Sequence, residues 1–284
     1  DAGFDFSALE DSVALAVRML DNVCDASRFP LEKQEQAVRS TRRLGLGLTG
    51  LGDALVMLGI RYDSEAALKT AASIMRCICE TAYRGSIELA REKGTFPLLK
   101  KISHVDGAFV RGLPEDIRTG IIRHGIRNSH LTAIAPTGTI SLLANNVSSG
   151  LEPVFQHDYR RRITEADGSL HEYTVTDYAA ALFHRLHGAD AGLPEASVCA
   201  AEISPYRHLD MQAALQPWVD NAISKTINVP ADYPFAEFQS LYQYAFDKGL
   251  KGCTTFRPNA VTGQVLLEAP EDASHCCSVE REGD

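Results

Sequence analysis

Residues 131–153 read LTAIAPTGTISLLANNVSSGLEP, and this stretch decides the fold. It opens with a short apolar run that ends at Ala135 and predicts a buried strand over residues 131–135. Pro136 and Gly138 then turn the chain, and a helix is predicted to begin near Ser141. A buried strand that runs through a tight turn into a helix is typical of an α/β protein.

The turn within this stretch has the chemistry of an anion site. The start of a helix presents backbone N–H groups that have no partner in the helix, together with the positive end of the helix dipole. Three hydroxyl groups lie at the same point, and Gly138 lets the backbone approach a ligand closely. An ordinary capped junction between a strand and a helix is the alternative. We interpret the turn as a phosphate loop formed by Pro136, Thr137, Gly138, Thr139, Ile140 and Ser141.

The rest of the chain predicts long helices between short strands. Apolar spacing predicts helices over residues 7–25, 31–43, 64–94, 177–187, 206–224 and 235–248, with a short helix after Pro114. Ser7 and Ser64 are the predicted N-caps of the first and third, and Gly94 ends the third. Strand-like runs lie at residues 226–229 and 253–256, and Asp167-Gly168 predicts the turn of a surface β-hairpin over residues 159–175. This alternation predicts an α/β fold with parallel strands.

Composition limits the classes of partner. The formal net charge is -9, which disfavours nucleic acid or an anionic membrane surface as a partner, because both attract basic proteins. No apolar run approaches the roughly 20 residues that span a bilayer, and no signal peptide is predicted. The seven cysteines are irregularly spaced, which favours reduced thiols and a cytoplasmic location. The chain begins at Asp1 without a methionine, so we expect a fragment of a longer protein.

The last residues differ from the rest in composition. From about Gly263 the helical periodicity is lost and acidic residues accumulate, which predicts a mobile tail over residues 263–284. The predicted organisation is one domain over residues 1–262 followed by this tail. Packing does not explain two adjacent thiols in a polar tail, so Cys276 and Cys277 are either a redox pair or incidental exposed thiols.

Three further patterns favour structural interpretations. Gly45, Gly47 and Gly50 match the dinucleotide-binding pattern G-x-G-x-x-G, but the preceding residues are too charged for a buried strand and no acidic residue follows near position 70. A glycine-rich helix junction is favoured over a nicotinamide site. The pair His184 and His187 is interpreted as a surface pair rather than a metal site, and Cys77 with Cys79 as core thiols.

Five segments in order carry a resemblance to a known family: RRLGLGLTGLGDAL, AREKGTFPL, RNSHLTAIAPTGTISLLANNVSSGLEPVF, DNAISKTINVP and KGLKGCTTFR. From Phe4 to Asn259 the chain resembles the C-terminal half of the catalytic barrel of ribonucleotide reductases, and most of all the adenosylcobalamin-dependent class II. The resemblance implies one half of a ten-stranded α/β barrel, in which the loop at residues 136–141 binds the phosphates of a ribonucleotide substrate.

The resemblance also implies what lies elsewhere. In the family the radical-forming cysteine, its neighbouring Asn and Glu, the allosteric site and the dimer helices belong upstream, and this chain contains no Asn-x-Cys-x-Glu. The chain is therefore expected to be inactive alone and to act with the N-terminal half of the reductase. Family members commonly end in a cysteine pair that receives electrons from thioredoxin or glutaredoxin, a role that Cys276 and Cys277 could fill, although the family usually separates the two cysteines.

The segment KGCTTFRPN bears on the radical source. In the tyrosyl-radical class the corresponding strand carries stacked tyrosines, whereas here Thr254, Thr255, Phe256 and Arg257 stand in that stretch. Phenylalanine has no phenolic proton to relay, so the resemblance implies adenosylcobalamin as the cofactor. The predicted activity is reduction of ribonucleotides, as diphosphates, to 2′-deoxyribonucleotides. Two alternatives stay open: a non-catalytic phosphate-binding subunit of a split reductase, and a nicotinamide-dependent oxidoreductase.

Overall fold

A computed structural model describes residues 3–164 and 169–257. The Asp167-Gly168 turn and the tail with Cys276 and Cys277 lie outside the described residues. The helices are α1 (Phe6–Ala26), α2 (Glu32–Thr41), α3 (Leu51–Met57), α4 (Glu65–Lys93), α5 (Lys101–Val105), α6 (Ala108–Arg111), α7 (Glu115–His124), α8 (Gly138–Leu143), α9 (Tyr178–His187), α10 (Pro205–Leu215) and α11 (Phe235–Asp247). The strands are β1 (Asp158–Thr164), β2 (Leu170–Thr176), β3 (Thr226–Asn228) and β4 (Thr254–Phe256).

Parallel extended segments lie side by side at the centre of the fold. Leu46 bridges Thr132, Ile134 bridges Ile223, and β3 pairs with β4, all in parallel. The predicted strand at residues 131–135 therefore has parallel neighbours on both sides, but it pairs through isolated bridges rather than a continuous ladder. The ladder is shortened because the Asp220 carboxylate accepts the N–H groups of Leu131 (2.7 Å) and Thr132 (3.0 Å).

The hairpin lies apart from these parallel segments. β1 and β2 pair antiparallel in the register Asp158↔Thr176 to Thr164↔Leu170. Asp177, which follows β2, caps α9 by accepting a hydrogen bond from the N–H of Ala180. The hairpin is thus joined directly to α9 through Asp177, which is buried.

The longest helix, α4, carries much of the core. Its buried face is rich in alanine, which lets α1, α7 and α10 pack closely against it. Ser64 caps its start by accepting from the N–H of Ala67, and Gly94 ends it, as predicted. The predicted cap of α1 is wrong. Asp5, rather than Ser7, accepts from the N–H of Ala8 at 2.9 Å, because Ser7 lies already inside the first turn.

The predicted helix over residues 206–224 is too long. α10 ends at Leu215, and a 3-10 turn follows at Gln216–Trp218. Pro217 has no N–H to continue the α-helical ladder, which accounts for the change. The chain then runs extended, so that Asn221 and Ser224 donate backbone hydrogen bonds to Thr132 (3.1 Å) and Ile134 (2.8 Å). Residues predicted as helix thus form a neighbour of the 131–135 segment.

Glycines bring two of these segments into close contact. A Cβ on Gly47 would overlap the backbone oxygen of Ala133, and one on Gly45 would meet the Ala133 side chain at 3.2 Å. Gly50 has a φ of 79° and forms the N-cap of α3. The glycine-rich motif therefore forms a tightly packed junction between an extended segment and α3. No helix in the described part of the chain is long and apolar enough to cross a membrane.

Candidate functional site

The 136–141 loop ends the central extended segment and forms the start of α8. The helix begins at Gly138, three residues earlier than predicted, and Ser141 lies in its first turn. Thr137 is the N-cap with a left-handed φ of 53°, and no side chain caps this end of the helix. The N–H groups of Gly138, Thr139 and Ile140 consequently have no partner within the helix.

The hydroxyl groups of the loop divide into two sets. Thr137 Oγ1 accepts the N–H of Gly150 at 2.7 Å and lies 3.0 Å from Thr49 Oγ1. Ser141 Oγ donates to the carbonyl of Gly138 at 3.1 Å and lies 3.2 Å from Ser149 Oγ. These two hydroxyls therefore hold the loop in shape. The remaining one, on Thr139, belongs to an exposed residue in the first turn of α8.

The backbone of the loop is open to an incoming group. A Cβ built on Gly138 would have nothing within 4 Å. Pro136 and Thr139 are exposed, as are Ile140 and Leu143, with 60% and 90% of their surface accessible. Residues 136–141 include no cation. The loop can thus offer neutral N–H and O–H donors to an anion without an arginine or lysine of its own.

A second segment, residues 148–152, supports the loop from behind. Gly150 has a φ of 55°, and a Cβ there would meet the carbonyl oxygen of Ala135 at 2.9 Å, so a side chain cannot replace it without displacing the loop. Ser148 accepts the N–H of Gly50 at 2.7 Å and the hydroxyl of Thr49 at 3.0 Å through its carbonyl. The start of α3 and the loop are thereby fixed to the same segment.

Two buried carboxyl groups lie beneath this support. Asp53 accepts the N–H groups of Ser148 and Ala179, and it is only 2% exposed. Burial, followed by the negative charge of Asp53, raises the pKa of Asp177 to about 7. A carboxyl with that pKa is half protonated near neutral pH, and the proton on Asp177 reduces the repulsion between the two acidic groups.

One buried ion pair joins the 148–152 segment to β3. Lys225 is 2% exposed, and its ammonium donates to Glu152 Oε2 at 2.5 Å. Burial lowers the pKa of Lys225, and the Glu152 carboxylate opposes that change. The sequence pattern did not single out Lys225, Glu152, Asp53, Asp177 or Thr49. A lysine next to a predicted strand is normally assigned to the surface, so no local signal marks this pair.

The family is decided by comparison with known proteins. The family model described as "Ribonucleotide reductase, barrel domain" matches residues 1–256. The chain belongs to the ribonucleotide reductase barrel-domain family.

The relatives of this chain agree with that family. It is 35% identical to a vitamin B12-dependent ribonucleoside-diphosphate reductase of Mycobacterium tuberculosis (strain CDC 1551 / Oshkosh), over 95% of this chain and 39% of the relative. A vitamin B12-dependent ribonucleoside-diphosphate reductase of Thermoplasma acidophilum is 33% identical, over 92% and 34%. The ribonucleoside-diphosphate reductase subunit alpha of Chlamydia muridarum is 28% identical, over 92% and 29%. The chain thus spans between 29% and 39% of the length of these relatives.

Two other candidate binding motifs of this chain, the glycine-rich motif and the histidine pair, have structural explanations. Gly45, Gly47 and Gly50 serve the junction with Ala133 and α3, which supports the helix-junction interpretation over a nicotinamide site. His187 stacks on Phe183 with ring centroids 4.5 Å apart. Among residues 3–164 and 169–257, no group of three His, Cys, Asp or Glu side chains is placed to hold a metal ion.

Two cysteines of this chain, Cys77 and Cys79, were predicted to be core thiols. Cys79 is buried, and burial raises the pKa of its thiol, which fits that prediction. Cys77 is only half-buried, with its sulfur 3.9 Å from Glu10, so its assignment to the core is wrong in part. Cys199 lies 3.6 Å from His157 Nδ1, but burial, with the charge of Glu202, raises the pKa of Cys199 to about 11. It is therefore protonated at neutral pH and is no nucleophile.

Proposed function

We propose that this chain supplies the substrate phosphate loop of a vitamin B12-dependent ribonucleotide reductase, which converts ribonucleoside diphosphates to 2′-deoxyribonucleoside diphosphates. One observation carries the assignment of the loop. The uncapped start of α8 leaves three adjacent N–H groups free, while Thr137 and Ser141 turn their hydroxyls inward to hold that shape. The relatives named as ribonucleoside-diphosphate reductases support a diphosphate as the ligand.

The proposed contacts are hydrogen bonds from neutral donors of the loop to charged phosphate oxygens. Gly138, Thr139 and Ile140 donate their N–H groups, and the exposed Thr139 hydroxyl donates as well. Hydrogen bonds to a charged acceptor each contribute about 1.5–3 kcal/mol, so several of them can hold a diphosphate without a cation. Because the loop is fixed to residues 148–152, the donors keep their places before the ligand arrives, which lowers the cost of binding.

We propose adenosylcobalamin as the cofactor, held by the complete barrel, and the names of the relatives support this. When bound, it supplies the radical that starts the reduction. The residues of β4 fit this source: Thr254, Thr255 and Phe256 contain no phenol, so β4 itself offers no relay for a radical made in another subunit. The residues of this chain hold and orient the substrate, and we assign them no step in forming the radical.

The remaining partners belong to the same proposal. The N-terminal half of the reductase would complete the barrel and bring the radical-forming cysteine. Thioredoxin or glutaredoxin would reduce the enzyme, with Cys276 and Cys277 as the pair that receives the electrons; both cysteines lie outside the described residues. The 263–284 segment remains a predicted mobile tail after a barrel portion at residues 1–262, and the proposed location is the cytoplasm.

A titration with inorganic pyrophosphate, followed by backbone amide NMR shifts, tests the phosphate loop. We expect the amides of Gly138, Thr139 and Ile140 to shift first. Gly138→Val should abolish these shifts by blocking the backbone, and it should fold because a Cβ there meets nothing within 4 Å. Gly192→Val is the matched control, because a Cβ on the exposed Gly192 also has nothing within 4 Å. Binding by Gly138→Val as strong as by Gly192→Val would exclude the loop.

The class of reductase is tested separately, with the enzyme reconstituted from this chain and the N-terminal half. We expect reduction of ribonucleoside diphosphates only when adenosylcobalamin is added. Activity that persists without cobalamin, and that needs a di-metal subunit, would refute the proposed cofactor. Reduction by this chain alone would refute the assignment of the radical cysteine to the N-terminal half. Pyrophosphate binding by a chain that no second half can activate would favour the non-catalytic subunit.

A further inference from the structure

Lys225 and Glu152 form a buried ion pair at the junction between β3 and the support of the loop. The Lys225 side chain is completely buried, whereas 24% of the Glu152 side chain is accessible. Glu152 uses both of its oxygens: Oε2 accepts from the Lys225 ammonium at 2.5 Å, and Oε1 accepts from the N–H of Thr226 at 2.6 Å. The carboxylate therefore fixes residue 152 to the first residue of β3 in one orientation.

Tyr62 reinforces this attachment at Leu151, the residue before Glu152. The Tyr62 hydroxyl donates to the carbonyl of Leu151 at 2.6 Å, and the Tyr62 residue is only 3% exposed. The Lys225 ammonium lies 5.8 Å from the centroid of the same ring, within the range of a cation–π interaction. Residues 151 and 152 are thus held from two sides by one connected group of buried side chains.

The attachment continues to the loop through one glycine. Gly150, directly before Leu151, donates its N–H to Thr137 Oγ1 at 2.7 Å, and Thr137 is the N-cap of α8. Gly150 also lies so close to the Ala135 carbonyl that a Cβ would meet it at 2.9 Å. A displacement of residues 150–152 would therefore move Thr137 and change the direction of the free amides.

We propose that Lys225 and Glu152 are positioning residues for the phosphate loop: their ion pair fixes residues 150–152 against β3 and thereby sets the geometry of the α8 amides. This inference rests on the proposed function of the loop. Neither residue is placed in contact with the substrate. Both act through Gly150 and Thr137.

A buried pair suits this purpose better than apolar contacts would. Apolar side chains can slide or repack with little loss, but a buried ammonium without its carboxylate is strongly unfavourable. Lys225 has Glu152 as its one carboxylate partner among the described residues, so alternative arrangements of residue 152 are penalised.

A purely structural pair would stabilise the fold and leave the loop unaffected. Two substitutions of a carboxylate by the isosteric amide distinguish the two roles, one in each of two buried ion pairs of this chain. Glu152→Gln removes the carboxylate next to the loop, whereas Asp21→Asn removes one that pairs with the buried Arg42 at 2.8 Å, between α1 and the turn after α2. Both substitutions remove a carboxylate partner from a buried cation, Arg42 keeping Asp25 at 2.7 Å, but only the first touches the attachment of residues 150–152.

Pyrophosphate titration by amide NMR, at a temperature where each variant is folded, gives the dissociation constants. For Glu152→Gln we expect binding to weaken about tenfold, because the donors of the loop lose their fixed geometry. Tyr62→Phe removes only the bond to Leu151, carries no charge change, and should weaken binding about threefold. Asp21→Asn should bind pyrophosphate as the unmodified chain does.

The outcomes distinguish the inference from the proposed function. If the unmodified chain shows no shift at Gly138, Thr139 and Ile140, the proposed function fails and the inference fails with it. If that chain binds, Gly138→Val does not, and Glu152→Gln binds within about twofold of the unmodified chain, the loop stands and the inference is overturned. If Glu152→Gln does not fold, Tyr62→Phe decides: unchanged affinity overturns the inference, and weakened affinity supports it.

Discussion

Asp53, in the first turn of α3, accepts the backbone N–H of Ala179 at 2.8 Å, which brings two buried acids together where α3 meets Asp177, the N-cap of α9. Asp53 holds the N–H groups of Ser148 and Ala179, and Asp177 holds that of Ala180. Both residues are less than 5% exposed. A proton on Asp177 removes the repulsion of two buried negative charges, so the contact between the two acids depends on pH.

The first prediction concerns that dependence. Burial and the charge of Asp53 raise the pKa of Asp177 from 3.8 to about 7. The folded chain therefore keeps a proton that the unfolded chain releases, so this contribution is complete below pH 3.8 and is lost as the pH rises through 7. Asp177→Asn stays neutral at every pH and can still cap α9. We expect it to raise the free energy of unfolding at pH 8 by on the order of 2 kcal/mol.

Denaturant unfolding at pH 5, 6, 7 and 8 measures this effect on both sides of the pKa of about 7. Asp5→Asn is the control, since Asp5 caps α1 in the same way but on an exposed residue. The slope of stability against pH should flatten in Asp177→Asn and stay unchanged in Asp5→Asn. Equal slopes in Asp177→Asn and the unmodified chain would show that the two carboxyls do not share a proton.

The second prediction compares the Thr137 hydroxyl, which is bonded within the loop, with the hydroxyl of the exposed Thr139. Thr137→Val removes the nearer of the two hydroxyl acceptors of the Gly150 N–H, leaving Thr49 Oγ1 at 3.2 Å, and should lower the free energy of unfolding by about 1 kcal/mol. Thr139→Val should leave stability unchanged and weaken pyrophosphate binding by one hydrogen bond to a charged acceptor, about 1.5–3 kcal/mol. Thermal unfolding and calorimetric titration of both variants check this. The reverse assignment of the two effects would mean that the loop presents Thr137 to the ligand.

The third prediction concerns the junction at Gly47. A Cβ at this position would overlap the backbone oxygen of Ala133, so Gly47→Ala must push apart two parallel segments. We expect a loss of about 2–3 kcal/mol in the free energy of unfolding. Gly138→Ala is the control, because it adds the same atom where nothing lies within 4 Å, and its effect should stay within about 0.5 kcal/mol. Similar stabilities of the two variants would contradict the contact.

The fourth prediction compares a buried with an exposed ion pair. Burial acts to raise the pKa of Asp21, but hydrogen bonds from Arg42 and Asn128 outweigh it, and the net pKa is lowered. Asp21 therefore stabilises the fold above its ordinary pKa, and this contribution is lost as the pH falls. At pH 7, Asp21→Asn should cost about 3 kcal/mol, because Asp21 is the fully buried one of the two carboxylates that pair with Arg42 and also accepts a hydrogen bond from Asn128. Glu92→Gln breaks the exposed pair with Arg18 and should not change stability measurably.

The sequence predicted those features that depend on neighbours along the chain. The bounds of α4 follow from Ser64 and Gly94, and the short strands β3 and β4 follow from their β-prone runs. Errors arose where two local signals competed, as with Asp5 and Ser7, or where Pro217 interrupted an otherwise helical pattern. Local sequence contains no record of which distant segment a residue will meet.

The support of the loop could not be predicted for that reason. Asp53 meets Asp177, and Lys225 meets Glu152, only after the parallel segments have come together. A buried lysine and two adjoining acids also contradict the usual distribution of charged residues, so composition argues against placing them in the core. The turn after residue 135 could be predicted because Pro136 and Gly138 are local signals, but its shape also depends on Thr49 and Gly150, and its role as a phosphate loop stays a prediction.

The contact between Gly47 and Ala133 has a consequence for how this chain can diverge. When two side chains clash, a smaller residue on either side restores the fit, and a pair of mutations can drift together. Here the obstructing atom is a main-chain oxygen, which every amino acid carries. No replacement of Ala133 can compensate for a larger residue at position 47, so evolution can accommodate one only by rebuilding the path of the backbone.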